Sequence, residues 1–267
     1  MAEPDAFFHA DGVRYVPTEL PRGPWHRDFM HGGPPAALLA RAMEALVPGE
    51  GEAAAQVPPL VARFTVEFVR PVPLAPLDVT AEVARAGRQV THLRAAATAG
   101  GQEVCRATAL CIRRAHLDLA AVAPAPPPPA GPGASAPFDF PFFSAARGYH
   151  TAMECRFARG VFGRGPVAAW MRMRVPLVAG EAPSPLQRVI VAADSGNGVS
   201  VVLDLARWTF VNPDLTVYLH RAAQGEWICL DAATSAQPDG VGLADTALHD
   251  ERGAIGRSLQ SLLVAPR

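Results

Sequence analysis

Phe64-Thr65-Val66-Glu67-Phe68-Val69-Arg70 and Leu215-Thr216-Val217-Tyr218-Leu219-His220-Arg221 read as one strand written twice. Both are rich in β-branched and aromatic residues, with Thr, Val and Arg at matching places. Outward from each, the surroundings match as well. A helix start, Gly33-Pro34-Pro35, lies 31 residues before Phe64, and Ser184-Pro185 lies 31 residues before Leu215. Proline in the first turn after Gly or Ser is a start signal, because its missing N–H would have no helical partner there. Each half also closes alike: Gly101 to Arg106 leads into Ala107–Ile112, and Gly253 to Arg257 leads into Ser258–Val264. The chain is an internal duplication.

The first helix is expected over Pro35 to about Leu46, with Leu38, Leu39, Ala42, Met43 and Leu46 forming an i, i+3, i+4 stripe. The second is expected over Pro185 to about Ser195, stopping at Gly196, with Leu186, Val189, Ile190 and Ala193 as its stripe. Several strands joined by Gly turns follow each helix. One buried helix with four or five antiparallel strands, made twice, is an α+β double hotdog: two tandem repeats, each a sheet wrapped around a central helix. The Pro-rich stretch APAPPPPAGPGASAP at 123–137 reads as a polyproline linker. It divides the chain into an N-terminal hotdog, 1–122, and a C-terminal hotdog, 138–267, the half expected to carry the catalytic residues.

The 267 residues carry a formal net charge of -1, which gives no basic field for nucleic acid. All 24 basic residues apart from histidine are arginine, so chemistry that needs a lysine is excluded. No apolar run reaches the roughly 18 residues of a membrane span, and the start has no signal-peptide pattern. Cys105, Cys111, Cys155 and Cys229 are scattered, as in a reducing cytoplasm, and read as small core residues. The location expected is therefore cytoplasmic. The eight histidines lack zinc spacing, and neither a Gly-x-Ser-x-Gly elbow nor a dinucleotide or phosphate loop is present, so no metal or cofactor is expected.

Five segments in order resemble the acyl-CoA thioesterase II group of the thioesterase-like superfamily: His31–Ala36, Ala192–Gly198, Asp214–Arg221, Gly225–Trp227 and Gly256–Ser261. The resemblance spans nearly the whole chain except the linker. It implies a double hotdog that hydrolyses fatty acyl-CoA to free acid and CoA, with CoA as part of the substrate. It also implies a water held and activated by an Asp, a Gln and a Ser or Thr of the second hotdog, and a carbonyl polarised by an amide at the start of the first helix. By position these fall on Asp194, Gln260 and Asn212, where Asn replaces the family's Ser or Thr, and on the Gly32-Gly33 turn.

The residues themselves support part of this. Asp194 falls in the last turn of the second helix, where the dipole disfavours an anion by roughly 0.3–1 kcal/mol. A structural choice there would be neutral or basic, and burial is expected to raise its pKa. Gln260 shares a strand face with Ser258 and Leu262, and its duplicate is Ala109, so one site per chain is expected. The glycines at 32 and 33 allow close approach of a substrate, and His31 is expected to line the substrate pocket beside them. Two rivals stay open: a non-catalytic acyl-thioester binder, motivated by Asn212, and a hydratase or tailoring enzyme. Gly198, four residues after Asp194, counts against the latter. Exposed sheet edges leave a homo-oligomer open.

Overall fold

The computed structural model describes residues 5–47, 57–120, 122 and 128–267. The first half contains β1 (Phe8–Asp11), β2 (Arg14–Pro17), α1 (Gly33–Glu44), β3 (Leu60–Phe68), β4 (Leu77–Arg85), β5 (Val90–Ala99) and β6 (Gln102–Ile112). The second contains β7 (Ala136–Pro137), α2 (Tyr149–Ala152), β8 (Met153–Arg159), β9 (Val167–Met173), α3 (Pro185–Ala193), α4 (Gly196–Val199), β10 (Trp208–Val211), β11 (Asp214–Leu219), β12 (Ile228–Ala236), β13 (Val241–Asp250) and β14 (Gly253–Pro266). The strands form one antiparallel sheet in the order β1-β2-β4-β5-β6-β3-β11-β14-β13-β12-β9-β8-β7, with β10 also on β14. This is the α+β double hotdog expected from the duplication.

The two duplicated strands are the seam between the halves. Thr65 and Thr216, equivalent in the repeat, lie directly opposite one another in the β3–β11 pair, and their hydroxyls are 3.1 Å apart. A pseudo-twofold axis therefore passes between them. The inner sheet faces close over α1 and α3, whose Leu38, Leu39, Met43, Val189 and Ile190 are all buried. The same axis sets α1 and α3 antiparallel. A Cβ on Gly33, at the start of α1, would meet the Val191 carbonyl near the end of α3 at 2.5 Å. At the opposite end, Glu44 of α1 meets Ser184 at the start of α3.

Two expectations need correction. The second helix ends at Ala193, two residues before the expected Ser195, and Gly196 opens a further short helix instead of closing the segment. Asp194 caps α3 in the αR conformation, and after one turn residue the chain adds α4. A glycine commonly ends a helix by taking positive φ, and Gly196 does not. The stretch 123–137 is not a free spacer throughout; residues 123–127 lie outside the described residues. Its remainder holds a 3₁₀ turn at Pro132–Ala134 and then edge strand β7, where a missing N–H is tolerated. Proline-rich backbone still accepts hydrogen bonds: Trp170 Nε1 donates to the Ala130 carbonyl at 2.7 Å, and an Arg156 Nη donates to that of Pro132 at 3.1 Å.

Candidate active site

Two prolines at 34 and 35 remove two of the orphan donors at the start of α1, leaving the amides of the Gly32-Gly33 turn as its positive end. Asp194, at the end of antiparallel α3, lies against this turn: a Cβ on Gly32 would meet Asp194 Oδ2 at 2.9 Å. The field of α3 opposes the Asp194 charge and that of α1 favours it.

Asp194 is buried and surrounded by donors. His31 Nδ1 is 3.0 Å from Oδ2. On Oδ1, Asn212 Nδ2 donates at 2.8 Å and Gln260 Nε2 at 3.4 Å. Burial pushes the Asp194 carboxyl up, but the His31 charge and hydrogen bond, with those of Asn212 and the Gly33 amide, outweigh it and hold it below its ordinary value. The raised pKa expected from burial alone is thus corrected. The Gly33 N–H, 3.2 Å from His31 Nδ1, also points onto this pair. Nδ1 can either donate or accept. The neighbouring carboxylate favours its carrying the proton toward Asp194.

Gln260 is pinned by its amide. Its Oε1 accepts from the Asn197 N–H at 3.1 Å, so its Nε2 must face Asp194, where it also donates to the backbone carbonyl at 3.1 Å. It is nearly fully buried, as are Ser258 and Leu262 on the same face of β14. In the first half Phe64 faces Ala109.

Asn212 is positioned by a bulge. Val211 faces Leu263 and Thr216 faces Leu259, so five steps on one strand oppose four on β14. Pro213 cannot donate to the ladder, and Asp214 Oδ1 accepts from the Ser261 N–H at 2.8 Å instead. Both hydrogens of Asn212 Nδ2 are used, the second on the Asp214 carbonyl at 3.1 Å. Its Oδ1 has no protein partner among the described residues and is free to accept.

Tyr149 was not singled out from the sequence. Its ring stacks on His31 at 3.7 Å and 1°, while its hydroxyl donates to the Val191 carbonyl at 2.7 Å and lies 2.9 Å from Ser195 Oγ. It arrives from α2, whose isolated turn gave no periodicity to read.

These groups open on a cavity of about 330 Å³. Its walls come from the loop of Gly23 to Gly32, the strand end Phe68 to Val72, Phe140 to Phe143, the turn Asp194 to Gly198, and Val211 to Pro213. It lies at the ends of the helices, on which Leu38, Leu39, Val189 and Ile190 are buried. All four cysteines are buried and unpaired, and burial pushes the thiols of Cys111 and Cys105 up to about 11 and about 12, so neither supplies a thiolate.

The duplicated plan has a catalytic-looking mate of different character. At the far helix crossing, Ser184 Oγ donates to Glu44 at 2.7–2.9 Å and Gln187 Nε2 donates at 3.2 Å. Burial wins there and pushes the Glu44 carboxyl above its ordinary value. The folded state then binds more protons than the unfolded one, so this group lowers stability as pH rises from the ordinary glutamate range through the raised value. Glu44→Gln keeps an acceptor for Ser184 and is expected to melt at or above wild type at pH 7, the difference closing by pH 4. Thermal unfolding at the two pH values checks it; a large loss at pH 7 would show that the charge is needed.

Residues 21–112 match the acyl-CoA thioesterase N-terminal domain family, and residues 119–264 match the acyl-CoA thioesterase C-terminal domain family. The chain belongs to the acyl-CoA thioesterase family. Among solved structures it is similar to a proposed thioesterase from Novosphingobium aromaticivorans, at 24% identity over 96% of this chain and 98% of that one, with a TM-score of 0.68. A hot dog fold protein of unknown function from Alicyclobacillus acidocaldarius matches at 19% identity, 98% and 97% coverage and 0.68. An acyl-CoA thioesterase II from Mycobacterium marinum matches at 15%, 97% and 94%, and 0.66. At these identities the neighbours speak for the fold. No curated protein matches the chain. Among the described residues no helix is long and apolar enough to cross a membrane.

Proposed function

We propose that this acyl-CoA thioesterase family member hydrolyses an acyl-CoA to a free acid and CoA, using water activated at Asp194. The carrying observation is a buried carboxylate, held ionised by His31, Asn212 and the Gly33 amide and contacted by Gln260, facing a largely apolar cavity. The water donates one hydrogen to Asp194 Oδ1 and the other to the free Asn212 Oδ1, which leaves a lone pair to attack the thioester carbonyl. Asp194 takes the proton as attack proceeds, and the C–S bond then breaks. A thiol of pKa near 8.5 leaves as thiolate without prior protonation, and the proton held by Asp194 then passes to the thiolate or to solvent, which restores the carboxylate. The Gly33 N–H is engaged with Asp194 and His31, so the Gly32 N–H of the same turn, at the positive end of α1, offers the donor for the developing oxyanion.

Gln260 is a positioning residue on this reading, because its amide is spent on Asn197 and Asp194. Asn212, with its Oδ1 free among the described residues, offers an acceptor at the family's Ser or Thr position, which supports the hydrolase over a non-catalytic binder. Wild type is expected to release thiol from acyl-CoA, and Asn212→Ala is expected to lower kcat at least about tenfold, less than the about 10²–10⁴-fold of losing the base itself. A thiol-trapping assay measures both. Absence of release by wild type from every acyl-CoA would sink the hydrolase reading.

A further inference from the structure

The cavity wall is aromatic to a degree the rest of the chain is not. Seven of its 25 lining residues are Phe, Trp or Tyr, against 7% in the whole sequence, with a single Leu and no Ile. The rings form an assembly from separate parts of the chain. Phe142 stacks on Trp25 at 6.4 Å and 22° and on Phe143 at 5.3 Å and 28°, and Trp25 meets Phe210 edge-on at 5.4 Å and 74°. The wall begins at the reacting centre: a Cβ on Gly32 would touch both Phe68 Cζ at 2.5 Å and Asp194 Oδ2 at 2.9 Å. A group attached to the carbonyl, or one carbon from it, therefore meets ring faces at once.

Size and stiffness point the same way. About 330 Å³ lies at the lower end of small-ligand clefts, which run from roughly 300 to 1,000 Å³. Along the helices Leu38, Leu39, Val189 and Ile190 are buried, and none of them lines the cavity. A linear chain bent into so compact a space loses freedom about every bond it fixes, whereas an aryl ring has little to lose. Rings that already pack on one another offer offset faces and edges to a further ring and do not remould around an alkyl chain.

Resting on the hydrolase reading above, we infer that the acyl group is aryl, in the size range of benzoyl or phenylacetyl, and that Phe142 and Trp25 set this preference. The experiment compares kcat/KM for benzoyl-, phenylacetyl-, octanoyl- and palmitoyl-CoA, and for N-acetylcysteamine thioesters of the same acids, which lack the nucleotide. In wild type an aryl thioester is expected to exceed octanoyl at least about tenfold, the worth of one good ring–ring contact. Phe142→Leu, checked for folding by circular dichroism, is expected to cut that ratio about fivefold or more in both thiol series. Octanoyl or palmitoyl equal to or above aryl overturns the aryl assignment while leaving the hydrolase intact. A ratio unchanged by Phe142→Leu, with all CoA substrates slowed alike, overturns it too and gives the wall to the CoA moiety. No release from any thioester removes the hydrolase reading itself.

Discussion

Asp194→Asn is expected to lower kcat for thioester hydrolysis by about 10²–10⁴-fold, the span of a lost general base. The substitution removes the charge, and it also misdirects the hydrogen bonds. One amide hydrogen pair must replace an oxygen. Facing Oδ1 it meets the N–H groups of Asn212 and Gln260; facing Oδ2 it meets His31. The asparagine settles with its oxygen toward Asn212 and Gln260 and its NH2 toward His31, whose Nδ1 must then accept, and the charge-assisted bond there is lost. Stability carries a second signature. The folded pKa of Asp194 is depressed, so its ionised form contributes stability above the ordinary aspartate value. That contribution is lost as pH falls through the folded value. Asp194→Asn should therefore melt below wild type at pH 7, with the gap narrowing toward pH 3. Turnover measured well below the melting temperature separates the two effects. A folded variant that keeps wild-type kcat would end the assignment of Asp194 as base.

The sequence made the architecture legible because duplication is itself a long-range signal. Two strands matching at Thr65 and Thr216, each 31 residues after a proline-led helix, specify the repeat, and their pairing as the seam of the sheet follows from symmetry. Asp194, Gln260 and Asn212 could be named from position, and the structure brings all three together. What could not be read was how the charges balance. Burial raises a carboxyl pKa, and the fold supplies donors from two separate segments, the His31–Gly33 turn and Asn212, that reverse the sign at Asp194, whereas at Glu44 burial prevails. Tyr149 could not be read because its role depends on a ring-to-ring contact across 118 positions of chain, with no local period. The aromatic wall did leave a trace: Phe138, Phe140, Phe142 and Phe143 crowd one short stretch beyond the linker, too dense in rings for an ordinary surface loop.

Gly33→Ala is the second large effect, and here two tendencies oppose. Replacing Gly by Ala inside a helix stabilises by about 1 kcal/mol, and Gly33 has no positive φ to forbid it. Yet the added Cβ would sit 2.5 Å from the Val191 carbonyl oxygen and 3.2 Å from the Val191 carbonyl and α carbons. All three are backbone atoms, which cannot rotate away as a side chain would. Overpacking of this kind costs typically 1–3 kcal/mol, so a net loss is expected even after the propensity gain. Relief requires α1 and α3 to part where Gly33 meets Val191, and the consequences run in sequence. Val191 O is the acceptor for Tyr149, Tyr149 stacks on His31, and His31 pairs with Asp194. A 1 Å displacement of a catalytic group can cost about 10²-fold in rate, so kcat should fall at least about tenfold in the folded variant. The duplicate position makes the contrast: Ser184 carries a Cβ at the other helix crossing, where Glu44 and its partners fill the space and no cavity need be served. Urea unfolding and thiol release measure the two effects on one preparation. A Gly33→Ala protein more stable than wild type would show that propensity, not the close approach of the two helices, decides this position.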